Sequence, residues 1–319
     1  SAINTKSGDI WLDIACNDGT LLKAASPSMT KIGIDPADES YSFESMQVAD
    51  LIIQDFFSAS VYKKTKYGHQ KAKIITIIAM FYDVENPIDF LKDVEEIMDD
   101  EGLLGMQMSY TPLMLEQLAF DNMTSSKKML EETGLTVVDC QLNDINGGSF
   151  RVYARKANAD PTGFRTSPFR DVARYRVNSI LSLEKENQID TPAPYEKFYK
   201  QILDLREQTV SFIKKAKADG KTVWGYGAST KGNTLLQWFG LDNTMIDAIA
   251  ERNPHKFGLK TVGSNIPILS EEEMRKVSPD YLLVLPWHFI SEFRCREKKF
   301  LEKGGKFIVP CPKFEIIGE

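Results

Sequence analysis

A hydrophobic strand that runs directly into an acidic turn of small residues constrains the fold of this chain more than any other feature. The strand-like run Ile10-Trp11-Leu12 leads into a turn at residues 13–19, and a helix-like stretch follows at residues 20–25. A second strand, residues 31–34, then ends in Asp35. This order predicts an α/β unit that binds a nucleoside, because small residues let the backbone approach a ligand and the acid can accept hydrogen bonds from ribose hydroxyls.

The acidity of the first turn indicates which nucleoside it holds. Ala15 and Asn17 stand where a dinucleotide fingerprint has glycines, and Asp13 and Asp18 add negative charge. Such a turn would repel a pyrophosphate, which favours amides at a helix N-terminus. It suits S-adenosylmethionine (SAM), whose amine and sulfonium groups are positive. The alternative is an ordinary connection in which Asp18 caps the following helix.

A third strand end favours the SAM interpretation. The apolar run at residues 51–53 is followed by Gln54-Asp55-Phe56, an acid that can bond the adenine amino group and an aromatic ring that can cover the base. Three successive strand ends therefore carry chemistry suited to this ligand. The predicted cofactor-binding residues are Asp13, Ala15, Asn17, Asp18, Gly19, Asp35, Asp55, Phe56 and Met80.

Composition excludes several other classes of protein. The net charge of −6 argues against a nucleic-acid partner, which would require a basic face. The sequence contains no apolar run of the ~20 residues that span a bilayer. The first residues have no apolar core, so we expect a cytoplasmic protein without a signal peptide. The four cysteines are scattered and form no CxxC pair, which predicts that no metal is bound.

Apolar runs continue in α/β rhythm along the chain. Residues 73–80 predict a strand buried on both faces, and residues 102–108 predict the next strand. Strands at 136–140 and 150–154 would form a closing antiparallel hairpin, a pattern typical of class I methyltransferases. We therefore predict an α/β fold with a Rossmann-like methyltransferase domain, a helical connector and a second Rossmann-like domain. The expected boundaries are 1–160, 161–219 and 220–319.

The second Rossmann-like domain has a turn of different chemistry. Strand residues 222–226 lead into Gly227-Ala228-Ser229-Thr230-Lys231-Gly232, where amides, hydroxyls and a lysine could cradle an anion. The turn could hold a diphosphate, or it could be a tight connection whose lysine is solvated. A SAM-like site and a phosphate-like site in one chain suggest methyl transfer to a phosphorylated substrate.

These motifs resemble the C-methyltransferases of nucleotide deoxysugars, which add a branch methyl to a 4-keto hexose. The resemblance runs along nearly the whole chain and is most specific toward the C-terminus. It rests on residues 12–21, Gly33-Ile34-Asp35-Pro36, Asn146-Gly147-Gly148-Ser149-Phe150-Arg151-Val152, residues 225–235, Asn253-Pro254-His255-Lys256-Phe257-Gly258, Asp280-Tyr281, Leu285-Pro286-Trp287-His288-Phe289 and residues 304–310.

The resemblance implies a reaction and a set of residues. The first domain would hold SAM, with S-adenosylhomocysteine as product, and the C-terminal domain would help to hold a nucleotide-diphosphate sugar. A base would remove the proton next to the ketone, and the resulting enolate would take the methyl group. Tyr82 and Asn146 are the predicted catalytic residues. The predicted substrate-binding residues are Ser149, Arg151, Ala228, Ser229, Thr230, Lys231, Asn253, Trp287 and His288. The alternative for Arg151 is an ion pair with an acid on the neighbouring strand.

The chain departs from the family pattern at three places. Family members usually begin with a zinc-binding domain carrying CxxC pairs, and this sequence has none. Asn146 replaces a family histidine before Gly-Gly-Ser. The family's His-Glu-His segment, with the expected base, is also absent: Phe120-Asp121-Asn122-Met123 is followed directly by Thr124. Either the intact protein carries further residues between Met123 and Thr124, the alternative we favour, or it has lost its base.

Three other functions stay open at the level of sequence. A SAM enzyme acting on oxygen or nitrogen would share the first domain but would give the second turn no role. A nicotinamide-linked oxidoreductase would use the second turn for pyrophosphate and would leave Asp13 and Asp18 unexplained. A catalytically inactive binding protein would fit the missing histidine.

Overall fold

The computed structural model describes residues 3–109, 122–145, 148–164 and 169–318 of the chain. It divides into two compact units, Ser1–Pro194 and Tyr195–Glu319. Each unit is built around its own mainly parallel sheet and its own hydrophobic core. The three-part division predicted from the sequence, with a separate connector, stays a prediction.

The first unit contains a seven-stranded sheet in the order β3-β2-β1-β4-β5-β7-β6. The first five strands are parallel, and β7 lies antiparallel between β5 and β6. This is the predicted sheet with a closing antiparallel hairpin, so the α/β class I methyltransferase fold is confirmed. Its strands are β1 Ile10–Ile14, β2 Thr30–Ile34, β3 Leu51–Ile53, β4 Ala72–Ile78, β5 Met98–Ser109, β6 Leu135–Asn143 and β7 Ser149–Lys156.

Helices cover this sheet, and their ends follow local sequence signals. The helix α4 begins at Pro87, where a missing amide hydrogen costs nothing, and the Asn86 side chain accepts the amide hydrogen of Asp89. Ile75, Ile77 and Leu91 are fully buried in the core. The helices are α1 Thr20–Lys23, α2 Glu39–Met46, α3 Ala59–Lys63, α4 Pro87–Ile97, α5 Met123–Glu132 and α6 Phe169–Glu186.

The second unit also contains a mainly parallel sheet, with six strands in the order β10-β9-β8-β11-β12-β13. Only β13 is antiparallel to its neighbour. The strands are β8 Val223–Tyr226, β9 Ile249–Glu251, β10 Ile268–Ser270, β11 Tyr281–Val284, β12 Lys306–Val309 and β13 Glu315–Ile317. The helices are α7 Ala193–Ala218, α8 Thr230–Phe239, α9 Glu271–Val277, α10 Ile290–Arg296 and α11 Lys298–Glu302.

In each sheet, the first strands of the unit are added one after another toward one edge. The chain then crosses back, and the later strands are added toward the opposite edge. That switch point lies between β1 and β4 in the first unit and between β8 and β11 in the second. Open parallel sheets bind ligands outside the carboxyl ends of the strands at such a point. The fold therefore offers one candidate site in each unit.

The described part of the chain contains neither a membrane-spanning helix nor a metal-binding cluster. None of its helices has the length and apolar character needed to cross a bilayer. Within the same residues, no cluster of three or more histidine, cysteine, aspartate or glutamate side chains is arranged to hold a metal ion.

Candidate functional site

The first site is organised by Asp35, which directly follows β2. Its side chain is 6% exposed, and each of its oxygens accepts one backbone hydrogen bond. Oδ2 accepts from the Asn17 amide at 2.8 Å, and Oδ1 accepts from the Ala37 amide at 2.9 Å. The acid at the end of the second strand thus holds the turn that follows the first strand.

The turn itself uses backbone conformations that side chains seldom adopt. Ala15 and Asn17 have φ values of 59° and 47°, and Gly19, the residue before α1, has a φ of 73°. Non-glycine residues in this left-handed region are strained and cluster at ligand sites. The Asn17 conformation is held by its hydrogen bond to Asp35. Ala15 and Asn17, which stand where glycines were expected, therefore adopt backbone conformations typical of glycine.

Asp13 lies beside this turn as a buried acid. Its Oδ1 accepts a 2.6 Å hydrogen bond from the Thr76 hydroxyl, which in turn accepts one from the indole nitrogen of Trp11 at 3.0 Å. Burial raises the pKa of Asp13 to about 6, and the negative charge of Asp35 adds to the effect. A cation bound here would favour the ionised form of Asp13.

The other predicted cofactor residues are more exposed. Asp18 accepts hydrogen bonds from the Thr20 amide and hydroxyl, and these bonds lower its pKa. The N-cap of α1 is Gly19 and has no side-chain cap, so the alternative role of Asp18 as the cap is wrong, and Asp18 instead closes a local turn onto Thr20. Asp55 accepts a hydrogen bond from the amide of Phe56, whose ring is 77% exposed at the end of β3. An exposed ring at this edge is available to cover a ligand.

Met80 and Tyr82 follow β4 at the same end of the sheet. Met80 packs partly buried against the core, and Tyr82 lies in a short 3₁₀ turn, Phe81–Asp83, with its side chain half exposed. The Tyr82 hydroxyl donates a 2.6 Å hydrogen bond to the carbonyl oxygen of Ala79. The second predicted catalytic residue, Asn146, lies outside the described residues.

Arg151 and Ser149 project from β7. Arg151 donates two hydrogen bonds from Nε and Nη2 to the single side-chain oxygen of Gln107, at 2.9 and 2.6 Å. Gln107 is its direct neighbour on β5, so the partner is neutral, where an acid was the alternative considered from sequence. The described contacts use two of the five guanidinium N–H groups. Ser149 is buried and donates to the carbonyl oxygen of Ile145.

The helix α5 begins at Met123 and therefore spans the point, between Met123 and Thr124, where the family's base was expected. Asn122 caps it by accepting the amide hydrogen of Ser125 at 2.8 Å. The buried carboxylate of Glu184 accepts from the amides of Met123 and Thr124 at 2.6 and 2.8 Å. The helix runs without a break through both residues. The suggestion that further residues stand between them stays a prediction.

The second site repeats the Asp35 arrangement with Glu251, the last residue of β9. Glu251 Oε2 accepts a 2.8 Å hydrogen bond from the amide of Ala228, in the turn between β8 and α8. Its Oε1 accepts from the amides of Arg252 and Asn253 at 2.8 and 2.9 Å. Glu251 is not among the site residues predicted from sequence, although it comes after an apolar run as Asp35 does.

The turn of the second site has defined backbone roles. Gly227 has a φ of 83°, and a Cβ atom there would lie 2.7 Å from Pro286, so both the conformation and the space require glycine. Ser229 caps α8 by accepting the amide hydrogen of Gly232 at 3.0 Å. Because the Ala228 amide is already bonded to Glu251, it does not act as an anion donor in this state.

A pocket of about 310 Å³ lies at the switch point of the second sheet. Its wall includes Gly227, Ala228 and Ser229 of the turn, together with Glu251, Phe289 and charged side chains of both signs. The predicted substrate residues Thr230, Lys231, Asn253, Trp287 and His288 are not among its lining residues. Beneath it, Tyr226 accepts a hydrogen bond from Arg296 at 3.1 Å, and its hydroxyl contacts Glu297 at 2.8 Å. Burial and the glutamate charge raise the pKa of Tyr226, so its hydroxyl stays protonated. The pocket has the size and position of a small-ligand site.

The other predicted substrate residues lie in the same unit. Lys231 is the second residue of α8, and desolvation lowers its pKa. It lies close enough to His288 that its charge contributes to lowering the histidine pKa, after desolvation. Asn253 accepts the amide hydrogen of His255 and so caps a short turn. Trp287 is buried in the core, so only its edge can face a ligand.

The described residues of the first site fit SAM. Each carboxylate oxygen of Asp35 has accepted one backbone donor, which leaves a second lone pair on each for the two ribose hydroxyls. Asp13 adds a buried acid that a cationic ligand would stabilise in its ionised form. This set of hydrogen-bond acceptors and negative charge matches a positively charged nucleoside with a vicinal diol.

Comparisons with known proteins agree with this geometry. The family model described as the C-methyltransferase C-terminal domain matches residues 144–312, more than half of the chain. C-methyltransferase NovU of Streptomyces niveus is 30% identical over 99% of this chain and 75% of its own length. The chain therefore belongs to the family of SAM-dependent C-methyltransferases. The resemblance stated from the sequence is confirmed.

Solved structures show more distant likeness. A SAM-dependent methyltransferase from Aquifex aeolicus is 16% identical and covers 47% of this chain and 84% of its own, with a TM-score of 0.36. One from Clostridium acetobutylicum is 14% identical and covers 47% and 85%, with a TM-score of 0.37. The TM-scores of these two structures are low. The class I methyltransferase fold of this chain is defined by its own strand order.

Proposed function

We propose that this enzyme transfers the methyl group of SAM to the carbon next to the ketone of a nucleotide-linked 4-keto-deoxysugar, through an enolate. The observation that carries the proposal is the pair of switch-point sites. In each, an acid at the end of the second strand accepts the amide hydrogen of the preceding turn. A C-methyltransferase with two nucleoside-type sites suits a nucleoside donor and a nucleotide-bearing acceptor, and the relative NovU is named a C-methyltransferase.

The first unit would hold the methyl donor. Asp35 would accept hydrogen bonds from the ribose hydroxyls, and Asp13 would interact with the positive charge. Phe56 and Met80 would lie against the adenine and the methionine portion, and the strained residues Ala15 and Asn17 would bring the backbone close to the ligand. When bound, SAM supplies an electrophilic methyl group on a sulfonium.

Residues near the carboxyl ends of β4 and β5 and the amino end of β7 would support the developing enolate. A carbon becomes nucleophilic when a base removes its proton and positioned donors stabilise the oxyanion. Arg151 has N–H groups beyond those bonded to Gln107 and carries the positive charge that an enolate oxygen requires. Tyr82 would orient the sugar after exchanging its bond to the Ala79 carbonyl.

The second unit would hold the nucleotide. Ser229, Thr230 and Lys231 would approach the diphosphate, and Asn253, Trp287 and His288 would line the remainder of the ligand. The lowered pKa of Lys231 reflects partial burial, and an anion beside it would raise that pKa again.

Calorimetry with SAM, dTDP and NAD in parallel tests this function. We expect SAM and dTDP each to bind with one-to-one stoichiometry and NAD not to bind. Binding of NAD in place of dTDP would favour the oxidoreductase alternative. Binding of SAM alone would favour a methyltransferase for an unrelated acceptor.

A second experiment tests the enolate. The protein is incubated in D2O with a dTDP-4-keto-6-deoxyhexose and S-adenosylhomocysteine, so that no methyl group can be transferred. We expect deuterium to enter at the carbon next to the ketone. Absence of exchange in a protein that binds both ligands would favour the inactive-homologue alternative.

A further inference from the structure

The geometry points to Glu251 as the residue that recognises the nucleoside sugar in the second unit. It also indicates that Glu251 binds a single hydroxyl of that sugar. We propose that Glu251 accepts one hydrogen bond from the pentose of the bound nucleoside diphosphate. This inference rests on the proposed nucleotide-binding function of that unit. It names a further ligand-binding residue and states which sugar hydroxyls the site distinguishes.

The position of Glu251 supports a ligand-binding role. It ends β9, directly beside the switch point, and its side chain is 13% exposed where it forms part of the wall of the 310 Å³ pocket. It stands in the second unit where Asp35 stands in the first, and both acids hold the preceding turn through one backbone amide. An acid at this position accepts hydrogen bonds from pentose hydroxyls in nucleotide-binding sheets.

The two acids differ in how many acceptor positions they have left. A carboxylate has about four lone-pair sites, two on each oxygen. Among the described residues, Asp35 accepts one amide on each oxygen and so keeps one site on each. Glu251 accepts two amides on Oε1, from Arg252 and Asn253, and one on Oε2, from Ala228. It therefore keeps one site, on Oε2.

This difference predicts different sugar specificity in the two units. Asp35 can accept from both hydroxyls of a ribose, which suits SAM. Glu251 can accept from one, so a 2′-hydroxyl adds no hydrogen bond once the 3′-hydroxyl is bound. The nearby ammonium of Lys256 lies 3.9 Å from Oε2 and donates its hydrogen bond to the Ala228 carbonyl oxygen, so it does not occupy the remaining site.

Three thymine nucleotides test the inference on the unaltered protein. The probes are dTDP, 5-methyluridine diphosphate, which adds a 2′-hydroxyl, and 3′-deoxythymidine diphosphate, which removes the 3′-hydroxyl. We expect the first two to bind within about threefold of each other. We expect the third to bind about 10-fold more weakly or worse, because it loses a hydrogen bond to a charged acceptor.

Glu251→Gln supplies the matching change on the protein. The expected result is that the affinity ratio between dTDP and 3′-deoxythymidine diphosphate falls to about threefold or less, since the hydrogen bond to a charged group is lost. Asp35→Asn, at the equivalent position of the first unit, is expected to leave that ratio unchanged. The thermal unfolding temperature and SAM affinity of Glu251→Gln show whether the variant is folded.

The outcomes separate this inference from the proposed function. Equal affinities for dTDP and its 3′-deoxy analogue would overturn the role of Glu251 while leaving nucleotide binding intact. A 5-methyluridine diphosphate that binds more than about 10-fold tighter than dTDP would overturn the single-hydroxyl rule. If none of the three nucleotides binds, the nucleotide-binding function of the second unit fails, and the inference fails with it.

Discussion

Gly33 in β2 and Cys16 in the first turn are packed so closely that no side chain fits between them. A Cβ atom on Gly33 would lie 2.5 Å from Cys16 Sγ and 2.7 Å from Ile52 Cδ1. The Cys16 thiol is buried, and burial together with the charges of Asp13 and Asp35 raises its pKa to about 12. Cys16 therefore acts as a small apolar residue that fixes the turn against the strand.

Gly33→Ala is expected to destabilise the first unit by about 1–3 kcal/mol, as overpacking does in well-packed cores. SAM affinity should fall as well, because the displaced residue belongs to the turn. Urea unfolding and calorimetry measure the two effects. Cys16→Ala in the same background removes the closest contact and should restore part of the stability. A double variant as unstable as Gly33→Ala would show that Cys16 is not the obstacle.

Asp35→Ala is expected to weaken SAM binding by about 1.5–3 kcal/mol, the contribution of hydrogen bonds to a charged acceptor. Asp50→Ala is the matched control, because Asp50 also accepts one backbone amide hydrogen, from Lys31, at the other end of β2. The control should bind SAM normally. Normal SAM affinity in a folded Asp35→Ala protein would contradict the assignment.

The pKa of Asp13, raised to about 6, predicts a pH dependence of folding stability. Because the folded state holds this proton more tightly than the unfolded chain, whose value is near 3.8, stability should fall as pH rises from about 4 to about 6. The shift corresponds to at most about 3 kcal/mol. Asp13→Asn should lack this slope, and parallel slopes in both proteins would contradict it.

The same titration predicts that SAM affinity rises with pH up to about 6, because the cation favours ionised Asp13. Calorimetry between pH 5 and 7.5 would measure the effect at constant ionic strength. Asp13→Asn should bind SAM more weakly above about pH 6 and show a flatter profile. A wild-type affinity that does not change with pH would show that Asp13 is uncoupled from the cofactor.

Lys231→Ala is expected to raise the KM for a nucleotide sugar and leave SAM affinity unchanged, because Lys231 begins the helix beside the second turn. Lys221→Ala is the control in the same unit, since Lys221 pairs with Asp280 at an exposed position. A Lys231→Ala protein with altered SAM binding and normal nucleotide binding would reverse the roles of the two units.

Sequence patterns predicted the sheet and the location of the first site because strand ends are readable from periodicity. An acid after an apolar strand identified Asp35, and parallel pairing places it beside the turn at residues 13–19. The same pattern is present at Glu251. The role of Glu251, however, depends on which backbone amides donate hydrogen bonds to its side-chain oxygens. Hydrogen bonds between residues distant in sequence cannot be read from spacing.

The contacts that individual side chains make could not be predicted from the sequence either. An acid was considered as the partner of Arg151, and the strand register pairs it with Gln107. Asp18 was considered as the cap of α1, but the N-cap is Gly19, and Asp18 accepts from the amide and hydroxyl of Thr20 in a local turn. Both outcomes depend on register and on backbone geometry, which the order of residue types does not specify.

The most direct test of the central claim follows the transferred methyl group itself. The protein is incubated with SAM carrying a ¹³C-methyl group and with a dTDP-4-keto-6-deoxyhexose, and the product is examined by NMR. The account predicts a ¹³C-methyl group bonded to a carbon, with a long-range coupling to the adjacent ketone carbon. A labelled methyl group on oxygen or nitrogen, or no transfer from a protein that binds both substrates, would contradict it.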